Sequence, residues 1–180
     1  DATNVLPIEQ LPTFKCIVKQ KYGNYNGSAY AINMNQRIFE ILASYDSAKT
    51  LEEKEKIKQE HNIIESEDLV KTFVAWVKEN YLINNSSKTV CVKNMNIAGK
   101  NYATFDKLFI DKVDYYNEIK YSRRIIDPAI LFVDWVNDDE LPNLDTCLKR
   151  AGINRQVTHN ALEDAIDVLL CLRTKYNEKN

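Results

Sequence analysis

The chain has 180 residues and a mass of 20.9 kDa, with 44% hydrophobic and 28% charged content. That is enough for one well-formed core, and no Pro/Gly/Ser-rich linker or repeat divides it, so residues 1–180 read as a single domain. No apolar run approaches the roughly 20 residues of a membrane span, which argues against a membrane partner. A net charge of −2 and a pI near 5.8 exclude a protein that coats long nucleic acid by counterion release alone, so any such contact has to be local.

Cys16, Cys91, Cys147 and Cys171 are scattered with no CxxC spacing. They suggest neither a zinc site nor a disulfide framework, and buried thiols in a reducing, cytoplasmic compartment are expected. There is no signal-peptide pattern, and the chain opens on Asp1 rather than methionine, which reads as a trimmed end.

In chain order, Pro7 and Pro12 keep residues 1–12 from forming a continuous helix, and Phe14 to Val18 is a short β-rich run. Gly23-Asn24 and Asn26-Gly27 mark a turn. Met34, Ile38, Ile41 and Leu42 share one face, predicting a helix from about Ile32 to about Tyr45. The charged stretch Lys49 to Glu60 reads as a solvated helix or connector. Ser66, followed by Glu67 and Asp68, starts a helix whose stripe is Leu69, Phe73, Trp76, Val77 and Tyr81. Thr89 to Val92 is strand-like, and Met95 to Ala98 either continues that strand or lies beside it.

Two acids stand at the start of helices. Asp106 comes after a loop that leads out of the strand ending at Gly99, ahead of Leu108 and Phe109. Asp164 falls in the first turn of a helix predicted from Ala161 to about Tyr176 by the apolar spacing of Leu162, Ala165, Ile166, Leu169 and Leu170. Asn160 reads as its N-cap, and Glu163 completes a capping-box-like pattern. The positive end of a helix dipole favours an ionised carboxylate, and such a group suits a hard divalent cation. His159, just outside the helix, adds an imidazole able to take a proton from water. First-turn acids and a loop histidine also occur on ordinary surface helices, so these residue types alone leave both readings open.

The order of segments narrows them. Asn101 to Asp106 has the form Asn-x-x-x-Phe-Asp, Leu144 to Ile153 loosely has the form Leu-x-x-Leu-x-x-x-x-Gly-Ile, and His159 to Asp164 has the form His-x4-Asp. With Ile125-Ile126-Asp127-Pro128 between them, residues 88 to 175 resemble the DEDDh 3′-5′ exonucleases, the group that includes the proofreading subunit of bacterial replicative polymerase. The resemblance implies a ribonuclease-H-like α/β fold, a mixed sheet flanked by helices. It implies a two-metal site for Mg²⁺ or Mn²⁺ with Asp106 and Asp164 as ligands and His159 as general base. A nucleic acid with a 3′ end, single-stranded, would be the substrate, and nucleoside monophosphates the product. Asn101 and Phe105 shape the loop or meet the substrate, and Arg155, with Arg123, Arg124, Lys149 and Arg150, is placed among the cations that would meet phosphates.

The family's first motif, Asp-x-Glu on an opening strand, has no match here. Glu65-Ser66-Glu67 and Asp138-Asp139-Glu140 are acidic but come in the wrong order along the chain. Residues 1–18 look like the segment just after that strand, so the expectation is that the first strand is absent from this chain. Two divalent ions about 3.5–4 Å apart can generate a hydroxide and stabilise a leaving oxygen, but three or four carboxylates must hold them. With only Asp106 and Asp164, metal binding is expected to be weak. The alternative is a catalytically incomplete module that kept the fold and binds nucleic acid or a protein without cleavage.

Overall fold

The computed structural model describes residues 6–23, 25–81, 92–113 and 115–177. It is a mixed α/β protein whose described residues divide into two compact units. One contains Thr13–Cys91 and Lys112–Ile119, the other Asp1–Pro12, Val92–Asp111 and Lys120–Asn180.

The first unit is built on a short parallel pair, β1 (Ile17–Lys19) and β2 (Ile63–Glu65), with Ile17 opposite Ile63 and Lys19 opposite Glu65. The predicted run from Phe14 shrinks to three residues, because Phe14 turns its ring onto Phe73 and Trp76 at centroid distances of 5.3 and 5.5 Å. The strand β2 was not foreseen: Glu65 and Ser66 read as turn or cap residues, yet the Ser66 amide extends the pairing by donating to the Lys19 carbonyl. The single helix predicted from Ile32 is two, α1 (Ala29–Met34) and α2 (Gln36–Ser47), broken at Asn35, whose backbone (φ −104°, ψ 16°) leaves the helical well.

The charged stretch is a helix, α3 (Leu51–His61), with no buried residue. The Thr50 hydroxyl accepts from the Glu53 amide while Glu53 reaches back to the Thr50 amide, and Asn62 in the left-handed region ends the helix. The predicted stripe lies on α4 (Leu69–Tyr81), which starts three residues after Ser66, but the buried face is Val70, Val74 and Val77; of the stripe only Val77 is buried, while Leu69, Phe73 and Trp76 are half-buried.

In the second unit β3 (Val92–Ala98) is one continuous strand that takes in Met95 to Ala98, while the predicted start at Thr89–Cys91 lies outside the described residues. It pairs with β4 (Ile119–Ile126), and the Gly99 amide donates to the Ile126 carbonyl, so the carboxyl ends of both strands lie together and the pair runs parallel. From those ends the chain enters α5 (Asp106–Ile110) and α6 (Pro128–Phe132). Asn143 caps α7 (Leu144–Arg150) by accepting from the Thr146 amide, and Gly152 at φ +71° lets the chain fold back past the helix end. The last helix is α8 (Ala161–Asn177). Ala129, Phe132, Leu144, Cys147, Leu148, Val168 and Cys171 form the core joining α6, α7 and α8, and burial pushes the Cys171 thiol up to about 12. Arg173, buried on α8, donates to the Leu6 carbonyl and ties down the opening segment. Among the described residues no helix is long and apolar enough to cross a membrane.

Candidate functional site

Parallel strands whose carboxyl ends lie together create a crevice where the loops leaving them diverge. Here one loop leaves that edge toward Asp106 at the start of α5, and Asp127 leads the other into α6. After β3, Gly99 is obligatory because a Cβ there would come within 2.9 Å of the Tyr102 Cβ. Asn101 then adopts the left-handed region (φ 57°), its amide donating to Asp127 Oδ2 at 2.8 Å and its carbonyl accepting from the amides of Thr104 and Phe105. This winds the loop so that α5 begins at Asp106. After β4, Asp127 caps α6 through Ala129 while its other oxygen holds Asn101, so one carboxylate fastens both loops. Asn101 therefore shapes the loop. Phe105 stays exposed, with its ring edge-on to Phe109 at 5.2 Å.

Asp106 is exposed in the first turn of α5. Asp164 occupies the corresponding turn of α8, which Asn160 caps by accepting from the Leu162 amide at 3.2 Å. His159 precedes that cap at φ 57°, a conformation that costs any residue with a Cβ free energy and persists only where its surroundings impose it. Burial pushes the Asp164 carboxyl up, His159 opposes that shift and Glu163 reinforces it. Asp164 Oδ1 is buried and, among the described residues, has no hydrogen-bond donor.

Glu163 lies three residues beyond the Asn160 cap, the position its sequence pattern suggests. Its carboxylate accepts from Arg155, whose Nε also lies 2.9 Å from Asp167 Oδ1. Asp167 is 1% exposed, and its carboxyl is pushed up by burial, opposed by Arg155. Arg155 is thus engaged with two carboxylates of α8 and fastens the loop that carries His159, rather than standing open to a phosphate. Lys149 and Arg150 are likewise paired, with Asp145 and Asp138, and the Arg123 side chain lies outside the described residues. Asp167 and Asp127 were not singled out from sequence. The signal for Asp167 was present in its position three residues beyond Asp164, on the face that carries Val168 and Cys171 into the core.

His159 lies near enough to Asp164 to oppose the burial shift of its carboxyl. Among the described residues no three His, Cys, Asp or Glu side chains gather around one point where a metal ion would sit, so Asp106 joins no such cluster with them. A buried carboxylate oxygen without a donor suits a hard cation, and to that extent the donor set fits Mg²⁺ or Mn²⁺. No family model, curated protein or solved structure matches the chain.

Proposed function

We propose that the chain carries most of a metal-dependent 3′-5′ exonuclease of the DEDDh type, with a ribonuclease-H-like arrangement in which β3 and β4 are two strands of a larger sheet. The observation that carries this reading is the orphaned, buried Asp164 oxygen on the helix that His159 introduces. An uncompensated buried acceptor costs about 1–3 kcal/mol, a cost retained where a cation offsets it. The shared carboxyl end of β3 and β4, with Asp106 at the head of the helix beyond the loop leaving β3, supports the same reading.

In this reading Asp106 and Asp164 would hold divalent ions only together with the acidic pair of an Asp-x-Glu strand. The ions supply a water acidified toward neutral pH and a counter-charge for the leaving oxygen. His159, beside Asp164, takes the proton from the attacking water. Asp127 and Asn101 keep the Asp106 loop against the strand ends, and the Arg155 bridge to Glu163 and Asp167 keeps the His159 loop against α8. Phe105 offers an exposed ring for a terminal base.

The test uses the full gene product with 5′-labelled single-stranded DNA and RNA oligonucleotides. Stepwise shortening with release of nucleoside monophosphates is expected in Mg²⁺ or Mn²⁺, and none with EDTA. Asp164→Asn and His159→Ala are expected to slow it at least ~100-fold, the scale on which general-base and metal-ligand losses act. Binding without shortening in either metal, unaffected by Asp164→Asn, would replace the enzyme with a non-catalytic module.

A further inference from the structure

Away from that site, α6 leads into a turn held by its own hydrogen bonds. The Asp134 carbonyl accepts from the amides of Asn137 and Asp138 at 3.1 and 2.8 Å. Asp134 Oδ1 accepts from the Val136 amide at 3.0 Å and Oδ2 from the Asn137 side chain at 2.7 Å. Asp138 accepts in turn from the Asp134 amide at 2.9 Å, and Arg150 clamps the base, donating to the Phe132 carbonyl at 2.7 Å and through both terminal nitrogens to the Asp138 carboxylate. The turn is fixed before anything binds it.

Its tip is Trp135 and Val136, which are 79% and 90% exposed. A turn of this type requires small or polar residues, and neither a tryptophan nor a valine is needed to close it. A rigid tip carrying a large aromatic at low entropic cost is what concentrates binding energy in protein interfaces. Ile130 and Leu131 are exposed on the preceding helix and Leu141 just beyond, extending the apolar surface in sequence on both sides of the tip.

Charge identifies the partner. Residues 134–140 carry Asp134, Asp138, Asp139 and Glu140 against Arg150, four carboxylates to one guanidinium, and Asp139 and Glu140 are exposed. Hydrogen bonds from Asn137 and Val136 hold the Asp134 carboxyl below its ordinary range, and Arg150 and the Asp134 amide hold Asp138 down at about 2, so both stay ionised at neutral pH. Phosphate-bearing surfaces are repelled by such a rim, whereas a basic protein rim is drawn to it. We propose that the 134–138 turn is a docking knob, with Trp135 and Val136 seated in an apolar cleft of a protein partner whose rim presents Lys or Arg to Asp139 and Glu140.

The test installs p-benzoylphenylalanine at position 136 of the full gene product, with Trp135 kept or replaced by alanine, and irradiates it in the cells that make the protein. Support requires a Trp135-dependent adduct to one protein, at an apolar cleft bordered by Lys or Arg. The purified partner must then bind Trp135→Ala at least ~10-fold more weakly than wild type, as for an aromatic anchor. It must also bind the Asp139→Asn/Glu140→Gln double variant about three- to tenfold more weakly, with a flatter salt dependence. Adducts only to nucleic acid, lipid or a second copy of the chain, adducts that ignore Trp135, or a purified partner indifferent to both variants would each overturn the proposal. Circular dichroism and the melting temperature check that Trp135→Ala keeps the fold, as expected for a side chain so exposed.

Discussion

At the scale of single residues, Asp164 and Asp167 show how the same helix face treats two carboxylates differently. Burial pushes both carboxyls up, and among the described residues neither Oδ1 accepts a hydrogen bond; Arg155, 2.9 Å from Asp167, opposes the shift there, and His159 opposes it at Asp164. A carboxyl whose folded pKa is raised contributes stability that is fully present below its ordinary value near ~4, and lost as pH rises through the folded value. At pH 7 the ionised Asp164 therefore weakens the fold, and Asp164→Asn is expected to raise the melting temperature. An orphaned buried group of about 1 kcal/mol corresponds to about 2–4 °C in a chain of this length. The gain is expected to vanish by about pH 3, where the wild-type carboxyl is protonated. A calorimetric melting temperature for Asp164→Asn below that of wild type at pH 7 would show that the carboxylate has a stabilising partner after all. His159 and Asp164 could be found from sequence because their motif is local. The burial that makes Asp164 unusual could not, since it depends on which elements pack over α8.

At the scale of elements, local rules worked wherever the controlling contacts fall within one turn. The Thr50 capping box, the Asn143 cap and the Asn160 cap all satisfy amides two or three residues ahead. Distant groups add contacts that those rules do not pair: the Glu163 carboxylate accepts from Arg155, eight residues away. The 134–138 turn is the clearest element-scale device and makes its own prediction. Because the Asp138 carboxyl is depressed, its support of the turn is present above the ordinary carboxylate range and lost as pH falls toward about 2. Hydrogen exchange at the Asp134 amide should stay slow down to that range in wild type. In Arg150→Ala the protection should be lost nearer the ordinary carboxylate value, and an unchanged pH profile would mean that Arg150 does not set it.

For the molecule as a whole, each unit rests on its own buried cluster, and the His159–Asp164 part of the candidate site stands on the one formed by α6, α7 and α8. Leu148 is fully buried at its centre, so Leu148→Ala is expected to cost about 2–5 kcal/mol, read as a lower urea midpoint with an unchanged slope. A loss under about 1 kcal/mol would place the core elsewhere. The amino-acid sequence by itself determined where α3, α4 and α8 lie and the order of Asp106, His159 and Asp164 along the chain, because periodicity and capping act between residues three or four apart. Only tertiary structure decided that Ile17 lies opposite Ile63, that Asp127 fastens the Asn101 loop, and that Arg155 closes on Asp167. Each of those contacts joins groups that no local rule pairs, and their energy appears only once packing has excluded water between them.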